Sequence, residues 1–251
     1  MEAPLITHLL ELRNRVMRAA IVWLAASALC YVFAEDIYRF LLHPLAEAFH
    51  GESRRLIATS LTETFVTYLT LAVYGGFFLA FPYIAAEIYL FIAPGLYKRE
   101  RRVLLPYLIA APLLFFMGAS MAYFLVMPKA WQFFISFETP DLAGGLPLVV
   151  EAKVSEYLSL VMQIVLAFGL SFQLPVVLTL LVRVGLLSAD QLAKSRRYMI
   201  VILAAVAAVI TPPDVLSQIL LLVPLYGLYE ISIFACRAIE RRKPLEEPFD
   251  A

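Results

Sequence analysis

Few side chains in this sequence could do chemistry, and most of those are acids standing where acids are outnumbered or costly. Glu11 lies in His8-Leu9-Leu10-Glu11-Leu12-Arg13-Asn14-Arg15, and Glu100 lies in Lys98-Arg99-Glu100-Arg101-Arg102. Each is a carboxylate among bases. Taken alone, Glu11 reads as an exposed acid paired with Arg15 at i,i+4, a contact worth about 0.2–0.5 kcal/mol. Glu100 reads as an acid that relieves repulsion between its neighbours. The alternative for both is an acidic site on a basic face, which would receive a cation. Glu87 and Glu230 lie inside apolar runs, where a carboxylate costs about 2.5–3.5 kcal/mol on insertion scales. Glu230 is near the end of its run and is expected to reach headgroups or Arg237. Glu87 is deeper, past Pro82, and is expected to face a cavity or to be protonated. Gln163 and Gln173 read as donors of interhelical hydrogen bonds. Asp214, after Thr211-Pro212-Pro213, reads as a cap on the next helix.

The rest of the inventory excludes most catalysis. The three histidines, His8, His43 and His50, lie outside the apolar runs. There is no nucleophile with a base beside it, no pair of facing aspartates, and no H-E-x-x-H cluster for zinc. A G-x-x-x-x-G-K-[ST] loop is also missing from the sequence, so it carries no such nucleotide site. Cys30 and Cys236 have no metal-ligand spacing and read as small buried apolar residues. The chain is therefore expected to be no enzyme, with no cofactor and no metal.

The elements that must position these acids are membrane helices. Apolar residues make up 62% of the 251 residues and charged residues 16%, against typical values of about 45–50% and about 25%. Mean hydropathy is +0.83. Spans are expected at about 19–34, 64–92, 103–127, 157–182, 198–210 and 215–236, in one membrane domain covering 1–251. The net charge is zero, from 20 basic and 20 acidic residues, but the bases are sorted. Fifteen lie on the side that holds both termini and five on the other: Arg39, Arg54, Arg55, Lys129 and Lys153. The positive-inside rule then places both termini in the cytoplasm. Leu5, Ile6, Leu9, Leu12 and Val16 recur at helical spacing, which predicts an amphipathic interfacial helix leading into the first span. A cleaved signal is disfavoured by Glu2 and Glu11 in the segment that would have to be basic.

Span five is short, roughly 20 Å against a hydrocarbon thickness of about 30 Å, and prolines 212 and 213 stop it. Spans five and six should form a tight hairpin that thins the bilayer locally. Pro82 and Pro175 should kink spans two and four. The outer segments, about 35–63 and 128–156, read as loops.

Five motifs in order carry a resemblance that covers the chain from residue 5 to about 236. They are His8-Leu9-x-Glu11-Leu12-Arg13-x-Arg15, Phe91-Ile92-Ala93-Pro94-Gly95-Leu96-Tyr97-x-x-Glu100, Ser171-Phe172-x-x-Pro175, Thr211-Pro212-Pro213-Asp214-x-x-Ser217-Gln218 and Pro224-x-x-x-x-Tyr229-Glu230. Together they resemble the TatC family, the polytopic subunit of the twin-arginine (Sec-independent) protein translocase. The resemblance implies an all-α, glove-like bundle in a bacterial inner membrane. It implies that the acids matching Glu11 and Glu100 bind the paired arginines of a precursor's signal peptide on the cytoplasmic face. Arg has a planar fork that a carboxylate accepts bidentately, so two guanidiniums call for two carboxylates. Leu9, Arg13, Phe91, Leu96 and Tyr97 would complete that contact. Pro44, Asp214 and Gln218 match further functional positions. The implied partners are folded twin-arginine precursors and single-span TatA- and TatB-like proteins, in homo- and hetero-oligomers embedded in lipid. No nucleic acid is implied, and the energy source is the proton-motive force. The family commonly has a glutamate where Gln173 stands and often a glutamine where Glu87 stands. That exchange suggests a cavity shared by the two positions, with one buried acid supplied by either helix. Rival readings are a small-solute transporter with Glu87 as proton relay and a purely structural membrane scaffold.

Overall fold

Lipid offers no water to backbone N–H and C=O groups, so each apolar run must satisfy its own, and it does so as a helix. The computed structural model describes residues 3–49, 56–92, 104–138, 151–210 and 215–242. In chain order its helices are α1 (Ala3–Val32), α2 (Ala34–Ala48), α3 (Glu63–Ile92) and α4 (Leu104–Met121), then a π-helical turn (Ala122–Val126) and α5 (Met127–Ile135). They continue with α6 (Val154–Ser171), α7 (Leu174–Arg183), α8 (Ala189–Lys194), α9 (Arg196–Ile210) and α10 (Val215–Arg242). Among the described residues the β structure is one parallel bridge, Ile57 to Lys153. Five stretches are long and apolar enough to cross a membrane: Ile6–Val32, Glu63–Phe91, Pro106–Ile135, Val154–Arg183 and Gln218–Arg241. At 15 residues, α9 is about 22 Å long, well short of a full crossing of about 30 Å.

The interfacial helix and the first span are one unbroken helix, α1, so Glu11 is rigidly tied to the membrane segment. The outer segment 35–63 is not all loop, because residues 34–48 form α2, with Glu35 and Asp36 in the first turn, where acids suit the helix dipole. Span three continues outward through the π-turn into α5, whose Met127 N–H reaches back to the Ala122 carbonyl. Span four is interrupted rather than merely kinked. It runs as α6, ends at Phe172-Gln173, and restarts as α7 with Pro175 in the first turn. There the proline's missing N–H costs nothing. Pro82 lies inside the unbroken α3. At the end of α7, Gly185 has φ +84° and turns the chain toward α8.

Apolar residues gain little from meeting each other in lipid, so close packing and buried hydrogen bonds hold the bundle. Helix α1 packs chiefly along α3. The two run antiparallel, with Cys30 near Gly75, Ser27 near Gly76, and Trp23 donating its indole N–H to the Val73 carbonyl at 3.0 Å. At Gly76 a Cβ would lie 2.5 Å from both the Cα and the N of Ser27. Only glycine lets the backbones come this close. An inner cluster of Phe81, Ala85, Tyr89, Tyr107, Ala111, Phe115, Val176 and Leu180 joins α3 to α4 and α7. At its centre Phe115 is fully buried and stacks on Phe81 with ring centroids 3.7 Å apart. A second cluster gathers α8, α9 and α10 around α6 and α7. A third lies under α2 at the outer end, built on Leu71, Trp131, Tyr157 and Leu158.

The outer end is stapled by Glu63. Its carboxylate accepts from the Thr59 amide at 2.6 Å and hydroxyl at 3.0 Å, and from the Ser155 amide at 3.2 Å and hydroxyl at 2.7 Å. One side chain thus ties the start of α3 to the start of α6. Cys30 and Cys236 are both buried and free, as their positions in apolar runs suggest.

Candidate functional site

Two of the described acids, Glu11 and Glu87, meet bases at the inner ends of α1 and α3. Arg15 is the hub. Its Nε and Nη2 donate to Glu11 Oε1 at 3.0 and 2.7 Å, and its Nη1 donates to Glu87 Oε2 at 2.9 Å. Arg18 also pairs with Glu87, more loosely, at 3.4 Å. Tyr83, one turn before Glu87 on α3, donates its hydroxyl to Glu87 Oε1 at 2.9 Å. Two carboxylates and two guanidiniums therefore form one neutral network. Neutrality matters because Glu87 is 7% exposed, and a buried charge is tolerated only when it is paired and hydrogen-bonded. Glu87 is a multiply bonded ion-pair partner, not the lone acid in a cavity that its depth suggested.

Glu11 sits at the accessible edge of this network, its side chain 37% exposed against 17% for Arg15. Open space of about 1000 Å³ borders it, and all the residues that line it belong to α1, Thr7, His8, Leu10, Glu11, Arg15 and Arg18 among them. One turn before Glu11, the His8 ring stacks on Phe91 with centroids 4.4 Å apart. That contact anchors the start of α1 to the end of α3, where the chain enters the segment that carries Glu100. Leu9 and Arg13 are exposed on α1. Leu96, Tyr97, Glu100 and Asp214 lie outside the described residues.

The other expected residues lie elsewhere. Gln173, at the break between α6 and α7, donates its side-chain amide to the Ala111 carbonyl of α4 at 3.0 Å, an interhelical bond as its type suggested. Gln163 is exposed. Gln173 bonds to α4 and Glu87 to α1 and Tyr83, so their described hydrogen bonds join them to no common partner. Gln218 donates to the Ala204 carbonyl at 3.1 Å and ties α10 to α9. The hydrogen-bond partners of Glu230 are Arg196 and Tyr226 rather than Arg237. It is held by Arg196, Nε to Oε1 at 2.7 Å and Nη2 to Oε2 at 2.9 Å, and by the Tyr226 hydroxyl at 2.9 Å. The hydrogen bonds it donates to Glu230 hold the Arg196 guanidinium above its ordinary range.

Pro44 acquires a physical account that its sequence position lacked. It lies inside α2 and is buried. Without an N–H it leaves the carbonyl four residues back, that of Phe40, without its helical donor. The Tyr123 hydroxyl of the π-turn donates to that carbonyl at 2.6 Å, and its ring stacks on Phe40 at 4.5 Å. The Tyr157 hydroxyl donates to the adjacent Leu41 carbonyl at 2.8 Å. The proline thus opens the backbone of α2 to two phenols from the bundle, which dock the helix.

Sequence reasoning missed Arg15 and Arg18 as the partners of Glu87, and Tyr83 with them. One signal was available. Arg15 and Arg18 sit at the inner end of span one and Glu87 near the inner end of span two, the same depth in antiparallel neighbours.

Comparison with known proteins agrees with this architecture. Residues 7–224 match the family model of the Sec-independent protein translocase protein (TatC). The TatC protein of Rickettsia prowazekii (strain Madrid E) is 43% identical over 238 residues, covering 95% of this chain and 94% of that protein. The TatC protein of Escherichia coli (strain K12) is 39% identical over 236 residues, covering 93% and 88%. A crystal structure of the twin arginine translocase receptor TatC superposes with a TM-score of 0.81 at 36% identity, covering 93% of this chain and all of that one. A helical membrane bundle of this sequence, with its acid–base cluster at the inner ends of α1 and α3, belongs to the TatC family of Sec-independent protein translocase subunits.

Proposed function

We propose that Glu11 and Glu100 receive the two guanidiniums of a twin-arginine signal peptide on the cytoplasmic face. The wider role follows from the family: a non-catalytic core subunit of the twin-arginine translocase, in the bacterial inner membrane. The observation that supports the site is Glu11 itself. It already holds a guanidinium, that of Arg15, through two N–H donors on one carboxylate oxygen, on the open face of α1. Leu9, Phe91, Leu96 and Tyr97 would flank the apolar residues that follow the arginines, with Arg13 beside them. Pro44, Asp214 and Gln218 act at other points of the same subunit.

In this reading the chain is a single membrane domain with six spans, α9 serving as the fifth, both termini cytoplasmic, and a glove-like outline. TatA- and TatB-like single-span proteins join it once a precursor is bound, and the proton-motive force drives transport. The small-solute rival needs Glu87 as an isolated relay carboxylate, and the three side chains bonded to it count against that role.

The deciding experiment is photocrosslinking of a twin-arginine peptide at the inner face, together with its binding affinity. Glu11→Ala and Glu100→Ala each weaken binding by about tenfold or more, since each removes a charge-assisted pair. A Lys-Lys peptide binds weakly to the unaltered protein. Normal binding by the double variant refutes the site. A separate expectation concerns α9. Adding one helical turn, about 5.4 Å, restores its match to the bilayer and lowers export of a reporter precursor, because local thinning is lost. Unchanged export would remove α9 from the mechanism.

A further inference from the structure

Arg15 stands where a signal arginine is expected to stand. Its Nε and Nη2 both donate to one oxygen of Glu11, and its remaining described bond goes to Glu87. We infer that Arg15 is a built-in competitor for Glu11, and that Glu87 is the acceptor that takes it over when a signal-peptide guanidinium arrives. The inference rests on the reading of Glu11 as a signal-arginine acceptor.

The geometry supports a hand-over rather than a simple displacement. The Arg15 side chain is only 17% exposed, so releasing it from Glu11 with no other acceptor would strand a guanidinium away from water. Nη1 is already on Glu87 Oε2 at 2.9 Å. A small rotation toward α3 moves the remaining N–H groups onto the same carboxylate while that bond persists. Glu87 is a fixed target, because its side chain is 9% exposed and Tyr83 holds its other oxygen. Arg18 is the member that can leave. Its contacts to Glu87 are long, 3.4 Å, and its side chain is 55% exposed. The incoming arginine adds one positive charge to a neutral network, and Arg18 relieves the excess by turning outward to anionic headgroups at the inner leaflet.

This arrangement sets a threshold that any newcomer must pass at Glu11. To occupy Glu11 a newcomer must outcompete a two-pronged guanidinium. Another guanidinium matches it N–H for N–H, while an ammonium brings a point charge without the planar fork. Arg15 thus lowers the affinity of every ligand of Glu11 by the same factor, and Glu87 is a positioning residue that acts through it.

The test uses the full-length protein in nanodiscs containing anionic lipid. It measures affinity for a synthetic Arg-Arg signal peptide and for its Lys-Lys counterpart, with thermal unfolding of each variant as the check on folding. Glu87→Gln weakens Arg-Arg binding by about tenfold, because Arg15 loses its charged alternative and holds Glu11 more firmly. Arg15→Gln tightens binding of the Arg-Arg and the Lys-Lys peptide by the same factor, about tenfold, because the competitor is gone and it opposed both alike. The decisive variant is the double change. With Arg15→Gln in place, adding Glu87→Gln leaves Arg-Arg binding as it was. If the double variant binds as poorly as Glu87→Gln alone, Glu87 acts through the packing of α1 on α3 and the hand-over is wrong. Failure of Arg15→Gln to tighten Arg-Arg binding is equally fatal to it. Loss of binding in Glu11→Ala alongside either result leaves the underlying site standing, whereas normal binding in Glu11→Ala removes that site and the hand-over together.

Discussion

Gly76→Val separates α1 from α3 and is expected to be among the most damaging single substitutions in the chain. A Cβ at position 76 meets the Cα and N of Ser27 at 2.5 Å. Those atoms are backbone and cannot rotate away. The helices must move apart by an ångström or more, and valine adds two methyl groups to the wedge. Overpacking a tight contact costs about 1–3 kcal/mol where neighbours adjust, and here the neighbour is a rigid helix. The effect also reaches the site. Arg15–Glu87, Arg18–Glu87 and His8–Phe91 all cross the same α1–α3 seam. Thermal unfolding in detergent should shift down by several degrees, and affinity for a twin-arginine peptide should fall with it. Gly76→Ala should show a weaker form of both. A Gly76→Val protein with wild-type stability and binding would mean that the seam does not position Glu11.

Phe115→Ala acts on the same frame from the other side. Phe115 is fully buried, stacks on Phe81, and lies within 6.3 Å, centroid to centroid, of Phe77 and Phe78 as well. Removing the ring leaves a cavity at the junction of α3, α4 and α7, and Phe→Ala in a packed core costs about 3–5 kcal/mol. Lipid does not reduce this much, because helix association in a bilayer depends on the packing contacts that the ring supplies. The inner half of α3 carries Tyr83, Glu87 and Phe91, so loosening it blurs the geometry around Glu11. Phe115→Leu retains most of the volume and should recover much of the stability. Measured unfolding of the two variants separates the cavity from the aromatic stacking.

The two substitutions touch neither Glu11 nor Glu100, yet both are expected to weaken peptide binding. That outcome follows from how the site is built. Glu11 is carried on a single 30-residue helix, and the position of that helix depends on one seam. Glu87 sits in the seam and is bonded across it, so binding at the rim and packing within the bilayer are coupled through Arg15.

Much of this was legible in the sequence for physical reasons that can be named. Hydropathy is a local sum, so the spans emerge from composition alone, and the short α9 emerges from the two prolines that follow it. The Glu11–Arg15 pair is an i,i+4 contact, which depends only on helical spacing. The motifs around Glu11, Phe91 and Pro175 sit on contiguous chain and could be recognised one by one. Gln173 was read as an interhelical donor from its residue type and depth, and its bond to Ala111 is of that kind.

Partners separated along the chain were not legible. Glu87 needed a neighbour, but Arg15 is 72 positions away, and only the antiparallel packing of α1 on α3 makes them adjacent. Glu230 was matched to Arg237 on its own helix because sequence shows near neighbours first, and the fold supplied Arg196 from α9 instead. Pro44 read as part of a loop because α2 has no long apolar run to announce it. Its role depends on Tyr123 and Tyr157, two phenols from distant segments that reach the carbonyls beside it. The sequence by itself determined which stretches are apolar enough to meet lipid, on which side of them the bases gather, and which acids stand among bases, since each of these is a property of local composition. Only the tertiary structure decided which base each described buried acid holds, because a charge in low dielectric takes the counter-charge that helix packing brings within hydrogen-bond reach, whatever the distance along the chain.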